Sequence, residues 1–318
     1  MFVNRAKIVF LVALIVLLNV MIIIYPGVAL DAARYGLNLW WSRVMPGILP
    51  FVIGANVLMS LGVVRSLGRV LEPVMGRAFK VSGQGGFALI MGAISGYPIG
   101  AKIVCEMRTA GELSKNDAQR LLGFCNNAGP LFILGAVGVG MFASPQLGYL
   151  LLISHYIGAI ALGLLLRLFA SRKPSQSEYK KISLTKQNEP IGQILGSAVK
   201  NAMETMVVVG GFIVLFSVIS ALFGQLSVIS YQLSVIFTGV LEMTNGLGML
   251  SESTLTRYVV ALASGFLSFG GLSILFQANS FIAKTDLNPF YYCMCKVAHG
   301  VLAGFAAFML YPALLGSA

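Results

Sequence analysis

Charged residues are scarce in this chain. Asp, Glu, Lys and Arg make up 10% of its 318 residues, whereas hydrophobic residues make up 57%. A soluble globular protein carries roughly 25% charged residues, which cover its surface, so an ordinary soluble domain is excluded. Four Cys are too few for a disulfide-built secreted scaffold. The remaining fold class is an all-α, polytopic helical membrane protein.

Enzyme and metal signatures are also missing. The sequence contains no HExxH, no GxSxG and no Walker-type phosphate loop. Its cysteines form no CxxC pair. We therefore expect no enzymatic activity, no cofactor and no metal site. A net charge of +11 would suggest nucleic acid as a partner of a soluble protein, but in a membrane protein basic residues first report orientation, and we expect no nucleic acid partner.

Long apolar runs are what the sequence does contain. A helix needs about 20 apolar residues to cross the hydrocarbon core. Runs of about that size occupy residues 8–25, 44–64, 85–104, 121–142, 147–169, 198–223, 233–250, 258–282 and 291–315. The first follows Arg5 and Lys7 and lacks a small-residue cleavage pattern, so it predicts an uncleaved N-terminal anchor helix. The polar, basic segment 171–190 reads as an interhelical linker.

Weak self-similarity favours an internal duplication. Val-Leu-Glu at 70–72 reappears at 240–242, a displacement of 170 residues, and the segment 93–98 resembles 265–271 at about 173. The predicted organisation is an anchor and connector (1–39), a first Gate-like repeat (40–145), a connecting helix and basic linker (146–197) and a second Gate-like repeat (198–318).

The positions of the basic residues predict the topology. If the linker is cytoplasmic, the run 85–104 begins and ends on the same side, because basic residues flank it at both ends. It is therefore predicted to be a re-entrant hairpin with its tip at 95–98, where Gly and Pro break the helix. The matching hairpin would be 258–282, entering from outside with its tip at 268–271, which makes the repeats inverted.

In this topology 17 of the 22 basic residues lie on the cytoplasmic side or its hairpin. The exceptions are Arg34, Arg43, Arg257, Lys284 and Lys296. The last run returns to the cytoplasm. The run 233–250 fits least well, and if it spans the membrane the inversion fails.

The first candidate substrate site is the predicted hairpin tip. Ser95, Gly96, Tyr97 and Pro98 interrupt an apolar run, and Lys102 follows four residues later. Broken helices expose unpaired backbone groups, which are tolerated at membrane depth only inside protein or beside a polar cavity. An ammonium there would face a cavity or an anion. The alternative is that Lys102 snorkels to the interface and the glycines only permit close packing.

The second candidate is a break in the run 121–142. Asn126 and Asn127 are costly to bury unpaired, and Gly129 with Pro130 can unwind the helix behind them. The half-helix that follows would direct its positive N-terminal end into the membrane interior, which suits an anionic ligand. The alternative role of the Asn pair is interhelical hydrogen bonding.

The second half offers fewer candidates. Its predicted tip provides hydroxyls and open backbone at Ser268, Gly270, Gly271 and Ser273, followed by Gln277. These residues complete the predicted substrate site.

Four ionisable residues are candidates for ion coupling or anion contact. Glu72 and Glu242 lie beside apolar runs and could take protons or cations, although such acids more often cap helices or pair with Arg. Lys296 and His299 are three residues apart on one helix face and could meet an anion, although a lone His is more often structural.

Two blocks carry a resemblance to a known family: GAISGYPIGAK at 92–102 and NNAGPLFILGAVGVGMF at 126–142. With FGGLS at 269–273, they resemble the YlbJ/SpoVV family of sporulation integral membrane proteins. That family contains Gate, or nucleoside-recognition, domains and is distantly similar to concentrative nucleoside transporters. The resemblance implies inverted repeats with re-entrant hairpins.

The resemblance also implies a function: transport of dipicolinic acid, a small planar dianion, across the outer forespore membrane from the mother cell. The predicted protein is a multi-pass, alternating-access transporter of a small anionic metabolite. Its expected partners are the lipid bilayer and a homo-oligomer or other sporulation membrane proteins. Alternatives are a nucleoside or ion permease and a non-transporting scaffold for spore maturation. The coupling ion, flux direction and oligomeric state stay open at this point.

Overall fold

The computed structural model describes residues 2–169, 190–225 and 230–314, and these form helices and turns without a strand. The helices are α1 Phe2–Ile24, α2 Pro26–Leu39, α3 Met45–Ser60, α4 Val63–Val74, α5 Gly85–Ser95, α6 Ile99–Thr109, α7 Lys115–Cys125, α8 Pro145–Leu168, α9 Ile191–Gly224, α10 Tyr231–Leu241, α11 Met243–Ser251, α12 Arg257–Phe269, α13 Gly271–Ile282 and α14 Pro289–Leu314. Three segments are π-helical: Trp40–Val44, Met75–Phe79 and Phe132–Met141. The predicted all-α fold is confirmed. Apart from Pro190, the predicted linker 171–190 lies outside the described residues.

Four helical stretches within the described ranges are long and apolar enough to cross a membrane. They are Pro145–Leu168, Ile191–Gly224, Arg257–Ile282 and Pro289–Leu314. A bend of 105° separates α1 from α2, and these two would make a fifth span if taken together. The chain is therefore a polytopic helical membrane protein, as predicted.

The first helical hairpin is formed by α5 and α6. Its turn passes through Gly96, whose φ of 84° favours glycine. Gly92 in α5 and Gly100 in α6 both lie against the backbone of Cys125, and a Cβ at either position would collide with that carbonyl oxygen. The hairpin predicted in the run 85–104 is present, and its glycines allow it to pack directly on the end of α7.

The second hairpin differs from the prediction. It is formed by α10 and α11, which turn at Glu242, whereas α12 and α13 form the single span Arg257–Ile282. The predicted tip at 268–271 is therefore wrong. Gly270 and Gly271 have φ of 86° and 75° and interrupt the helix, but α12 and α13 continue with a bend of less than 40°, so the chain does not turn back.

Contacts between two loops place the second half relative to the first. Arg108 donates two hydrogen bonds of 3.0 Å to the Asp286 carboxylate. Gln119 donates to the Asn288 carbonyl at 3.1 Å and accepts from its N–H at 2.7 Å. The loop after α13 thus lies on the same side as the junction of α6 and α7, which Arg108, Lys115 and Arg120 place on the cytoplasmic side under the positive-inside rule. The predicted outside position of Lys284 and the predicted return of the last run to the cytoplasm are wrong, because α12 and α13 cross the membrane.

The same order of elements occurs twice. A hairpin, a broken helix and a long helix follow one another as α5–α6, α7 with its π-helical continuation and α8, and again as α10–α11, α12–α13 and α14. The long helices begin at Pro145 and Pro289, and each carries one histidine, His155 and His299, which are 144 residues apart. With this pairing the second set enters the membrane from the opposite side. The predicted displacement of about 170 residues, which came from the matches of 70–72 with 240–242 and of 93–98 with 265–271, differs from this spacing.

Two long helical stretches, one from each half of the chain, pack against each other. The chain is continuously helical from 26 to 60 and runs antiparallel to α9. The Trp40 indole donates to the Met206 carbonyl at 2.9 Å, and the Asn56 amide donates to the Ala198 carbonyl at 3.1 Å. This pair forms one wall of the cavity described below.

Candidate functional site

A cavity of about 350 Å³ lies where the two halves meet. It is at the small end of the range of roughly 300–1,000 Å³ that small-molecule sites occupy. Both hairpin turns, the first helix break and the helix that follows the second break reach its wall, together with apolar side chains of α2, α3 and α9. The wall residues from the turns, the first break and α13 include Ser95, Gly96, Tyr97, Ala128, Gly129, Glu242, Met243, Thr244, Ser273 and Gln277. Six of the predicted substrate-binding residues, together with Glu242, therefore lie on one cavity.

Two side chains on this wall carry buried polar atoms without a hydrogen-bond partner. They are Ser95 Oγ from the first hairpin and Gln277 Oε1 from α13. The Gln277 amide nitrogen donates to Ser273 Oγ at 3.1 Å. Because a hydroxyl can donate or accept and an amide can be turned end for end, the free end of Gln277 can present either an acceptor or a donor. Unpartnered buried polar groups are rare in folded proteins, so these two are available to a ligand.

Glu242 is the acidic residue on the described part of the cavity wall. It is 4% exposed, and its carboxylate accepts from the Asn245 N–H at 2.8 Å, capping α11. Among the side chains that the structure describes, no Lys or Arg lines the cavity. An anionic ligand would therefore meet a carboxylate and the N-terminal ends of short helices rather than a cationic side chain.

The predicted Asn pair lies behind the cavity rather than on its wall. Asn126 is 1% exposed, accepts from the Ala101 N–H at 3.3 Å and donates to the Tyr292 hydroxyl at 2.6 Å. Asn127 donates to the Phe124 carbonyl at 2.9 Å, and its Oδ1 is buried without a partner. Asn126 joins the first hairpin to α14, so it holds the site in position.

A fully buried basic cluster lies next to the site. Lys296 and His299 are each 0% exposed. The Lys296 ammonium donates to the Tyr97 hydroxyl at 3.2 Å and to the Asn126 carbonyl at 3.1 Å, and lies 3.2 Å from His299 Nδ1. Tyr97 in turn donates to the Leu267 carbonyl at 2.9 Å. Lys296 thus contacts the cavity residue Tyr97, and His299 is connected to the cavity through Lys296; neither residue lines the cavity.

Several predicted residues lie elsewhere. Lys102 is 2.7 Å from a Glu106 carboxylate oxygen and 3.2 Å from Asn56 Oδ1, away from the cavity wall. Glu72 accepts from the Gly83 N–H at 2.6 Å at the end of α4, so it is not equivalent to Glu242.

The remaining predicted residues belong to the turns and breaks themselves. Pro98 precedes α6, Pro130 opens the helix after the first break, and Gly270 and Gly271 form the second break. The Ser268 hydroxyl lies 2.7 Å from His155 Nδ1. None of these five lines the cavity, but each borders an element that does.

The sequence reasoning missed three residues that shape the site. His155 packs on His299 with ring centroids 4.7 Å apart, Tyr292 bonds Asn126, and Thr244 lies on the cavity wall. The equal spacing of the two prolines and the two histidines was the signal that could have found His155. No comparable pattern marks Tyr292 or Thr244.

Sequence comparison with known proteins identifies the family of this chain. Residues 41–166 match the Gate family, which is described as "Nucleoside recognition". Over 332 aligned positions, covering 93% of this chain and 81% of its relative, the chain is 34% identical to the sporulation integral membrane protein YlbJ of Bacillus subtilis (strain 168). The chain belongs to the YlbJ family. No solved structure is significantly similar to this YlbJ-family chain.

Family membership agrees with the architecture. A YlbJ-family chain is an integral membrane protein, and the apolar helices make it multi-pass. The match of residues 41–166 to the Gate family also favours a non-enzymatic membrane protein. Among the described residues, no three His, Cys, Asp or Glu side chains form a group that could hold a metal ion.

Proposed function

We propose that the chain is a secondary-type transporter that moves a small metabolite through the cavity by alternating access. The observation that carries this proposal is the make-up of the wall, to which both hairpin turns, the first helix break and the helix after the second break contribute. Rocking of one half against the other would expose such a site to each side in turn. The Arg108–Asp286 contact would hold the cytoplasmic side closed in the conformation described here.

We propose dipicolinic acid as the substrate, carried across the outer forespore membrane during sporulation. The support is the sporulation relative together with a compact cavity that has two free polar groups. The Ser95 hydroxyl and the turned Gln277 amide can donate to a carboxylate, and the N-terminus of the half-helix after Gly129 favours negative charge. Because Glu242 shares the wall, a carboxylate bound beside it would be repelled, and hydrogen bonds from Ser95 and Gln277 would have to offset that repulsion.

A second candidate is a nucleoside. The described part of the wall has an acidic acceptor in Glu242 and no Lys or Arg, which suits a neutral ligand with hydroxyl and amine donors. The description of the matched family, "Nucleoside recognition", points the same way. The third reading, a membrane scaffold for spore maturation, needs no ligand at all.

Uptake into proteoliposomes separates these functions. We expect saturable uptake of labelled dipicolinate by the wild-type protein and a reduced rate in Ser95→Ala and Gln277→Ala. Exposed residues of the same type provide controls, and Ser66→Ala and Gln193→Ala should transport like wild type. If the protein takes up a labelled nucleoside saturably and does not take up dipicolinate, the substrate is a nucleoside and not dipicolinate. Failure to transport either would overturn the transporter proposal and favour the scaffold.

A further inference from the structure

The hydrogen bonds around Lys296 fix how many protons its cluster holds. His299 Nε2 lies 3.0 Å from the His155 carbonyl oxygen, which can only accept. His299 Nε2 is therefore protonated. In a neutral ring the Nδ1 that faces Lys296 is then an acceptor.

The other two partners of Lys296 are acceptors as well. The Asn126 group is a carbonyl, and the Tyr97 hydroxyl has already given its proton to the Leu267 carbonyl. Tyr97 donates to the Leu267 carbonyl because this buried carbonyl would otherwise lose its donor. The three acceptors then require three N–H donors on Nζ, which is an ammonium. In the alternative arrangement Lys296 is a neutral amine and His299 is doubly protonated. The proton then lies on His299 Nδ1 instead of on Lys296 Nζ, and the total charge of the pair is the same. Either way the Lys296–His299 pair holds one extra proton in this conformation.

The cluster contains no carboxylate to balance this charge. Within the described part of the chain no Asp or Glu lies within 4.0 Å of Lys296. The titratable groups that face the pair are Tyr97 from the first hairpin, His155 from α8, and Tyr292 and Cys295 from α14. His155 accepts from the Ala128 N–H at 3.1 Å, so its proton is on Nδ1, toward Ser268, and its ring is neutral. The ammonium is instead stabilised by acceptor oxygens and by the Tyr97 ring, whose centroid is 4.7 Å from Nζ.

The acceptors belong to elements that must move relative to one another. Tyr97 lies on the first hairpin turn, Asn126 at the first helix break, and Lys296 and His299 on α14 of the second half. Rotation of the halves would remove acceptors from Lys296. The histidine is present in both long helices, but the residue of α8 that corresponds to Lys296 is Leu152. The lysine is therefore not shared by the two long helices, and α8 packs with a leucine at the corresponding position.

We propose that the Lys296–His299 pair is a proton-binding site that couples transport to proton movement. In the conformation described here the pair holds one proton. When the halves move and Tyr97 withdraws, an N–H bond of the ammonium breaks, its proton passes to water on the newly opened side, and the neutral amine remains. When the halves return, the amine takes up a proton from water on the opposite side, so each cycle moves one proton with the substrate. This proposal rests on the proposed transport function and adds its coupling ion.

Nitrogen NMR tests the proton site without substrate or variant. The chain has two His, so ¹⁵N-histidine labelling yields two side-chain spin systems. We expect His155 to be neutral with its proton on Nδ1. For His299 we expect either a neutral ring protonated on Nε2 beside a Lys296 ammonium, or an imidazolium beside a neutral Lys296 amine, and ¹⁵N-lysine labelling of Nζ distinguishes the two. A neutral His299 beside a neutral Lys296 amine, or a neutral His299 with its proton on Nδ1, would overturn the site.

Gradient-driven uptake tests the coupling. With the membrane potential clamped at zero, one proton per substrate lets a gradient of one pH unit support about tenfold accumulation. Lys296→Met should keep exchange of labelled for unlabelled substrate but lose accumulation, whereas Lys284→Met, at an exposed lysine, should behave as wild type. Saturable wild-type uptake that ignores the pH gradient would overturn the coupling and leave the transport function standing. Absence of any uptake would overturn both transport and coupling, while the NMR result would still decide the proton site.

Discussion

Replacing Ser95 by Ala should weaken substrate binding without destabilising the fold. Its hydroxyl is buried without a partner in a residue that is 4% exposed, and an unsatisfied buried group costs about 1–3 kcal/mol. Removing one oxygen leaves the packing nearly unchanged, so we expect Ser95→Ala to be more stable by about 1 kcal/mol, or unchanged where cavity water already solvates the hydroxyl.

The effect on binding depends on the charge of the ligand. A hydrogen bond to a charged group contributes about 1.5–3 kcal/mol, which corresponds to a loss of roughly 10- to 150-fold in dipicolinate affinity. A neutral nucleoside would lose about 2- to 10-fold, since such bonds contribute about 0.5–1.5 kcal/mol. Thermal unfolding and equilibrium binding to the purified protein measure the two quantities, with Ser66→Ala as the exposed control. A lowered Tm together with an unchanged Kd would refute the reasoning, because Ser95 would then be a structural residue.

Three further predictions follow from packing and charge. Gly92→Ala should destabilise the protein by about 1–3 kcal/mol because its Cβ meets backbone, whereas Gly211→Ala, with nothing within 4 Å, should gain up to about 1 kcal/mol; thermal unfolding compares them. Lys102→Met should leave the substrate Kd within about twofold of the wild-type value, because the Lys102 ammonium pairs with the neighbouring Glu106 carboxylate. A larger loss of affinity would show that Lys102 takes part in substrate binding. The Arg108 hydrogen bonds lower the pKa of Asp286, so the stability they contribute is present at neutral pH and lost as the pH falls through that lowered pKa. Asp286→Asn should therefore be less stable than wild type at pH 7, with the difference vanishing in acid, and a difference that persists in acid would contradict this.

The first half of the fold was predictable because its sequence carries both kinds of signal. Basic residues flank the run 85–104 at both ends, and Gly96 with Pro98 marks the turn between them. The second hairpin had neither signal. The segment from 224 to 256 contains no Lys or Arg, so the positive-inside rule could not assign its side of the membrane. Nothing in the sequence indicated that Glu242 is a turn residue. Its role depends on capping α11, which only the folded backbone shows.

The candidate site was predictable in part for a related reason. Helix-breaking residues report where backbone is exposed, which located Ser95 and Gly129 on the cavity wall. They do not report which side of a helix faces a cavity. Asn126 therefore lies behind the wall with both ends of its amide bonded. The partners of Lys296 come from positions 97, 126 and 299, a grouping that only the tertiary structure brings together.

The most direct test of the substrate cavity is an experimental structure determined with saturating dipicolinate, and in parallel with a nucleoside. Our account predicts ligand density between the two hairpin turns, in contact with Ser95 and Gln277, for whichever compound is transported. Bound ligand elsewhere in the protein, or hairpin turns too far apart to contact one ligand, would contradict it.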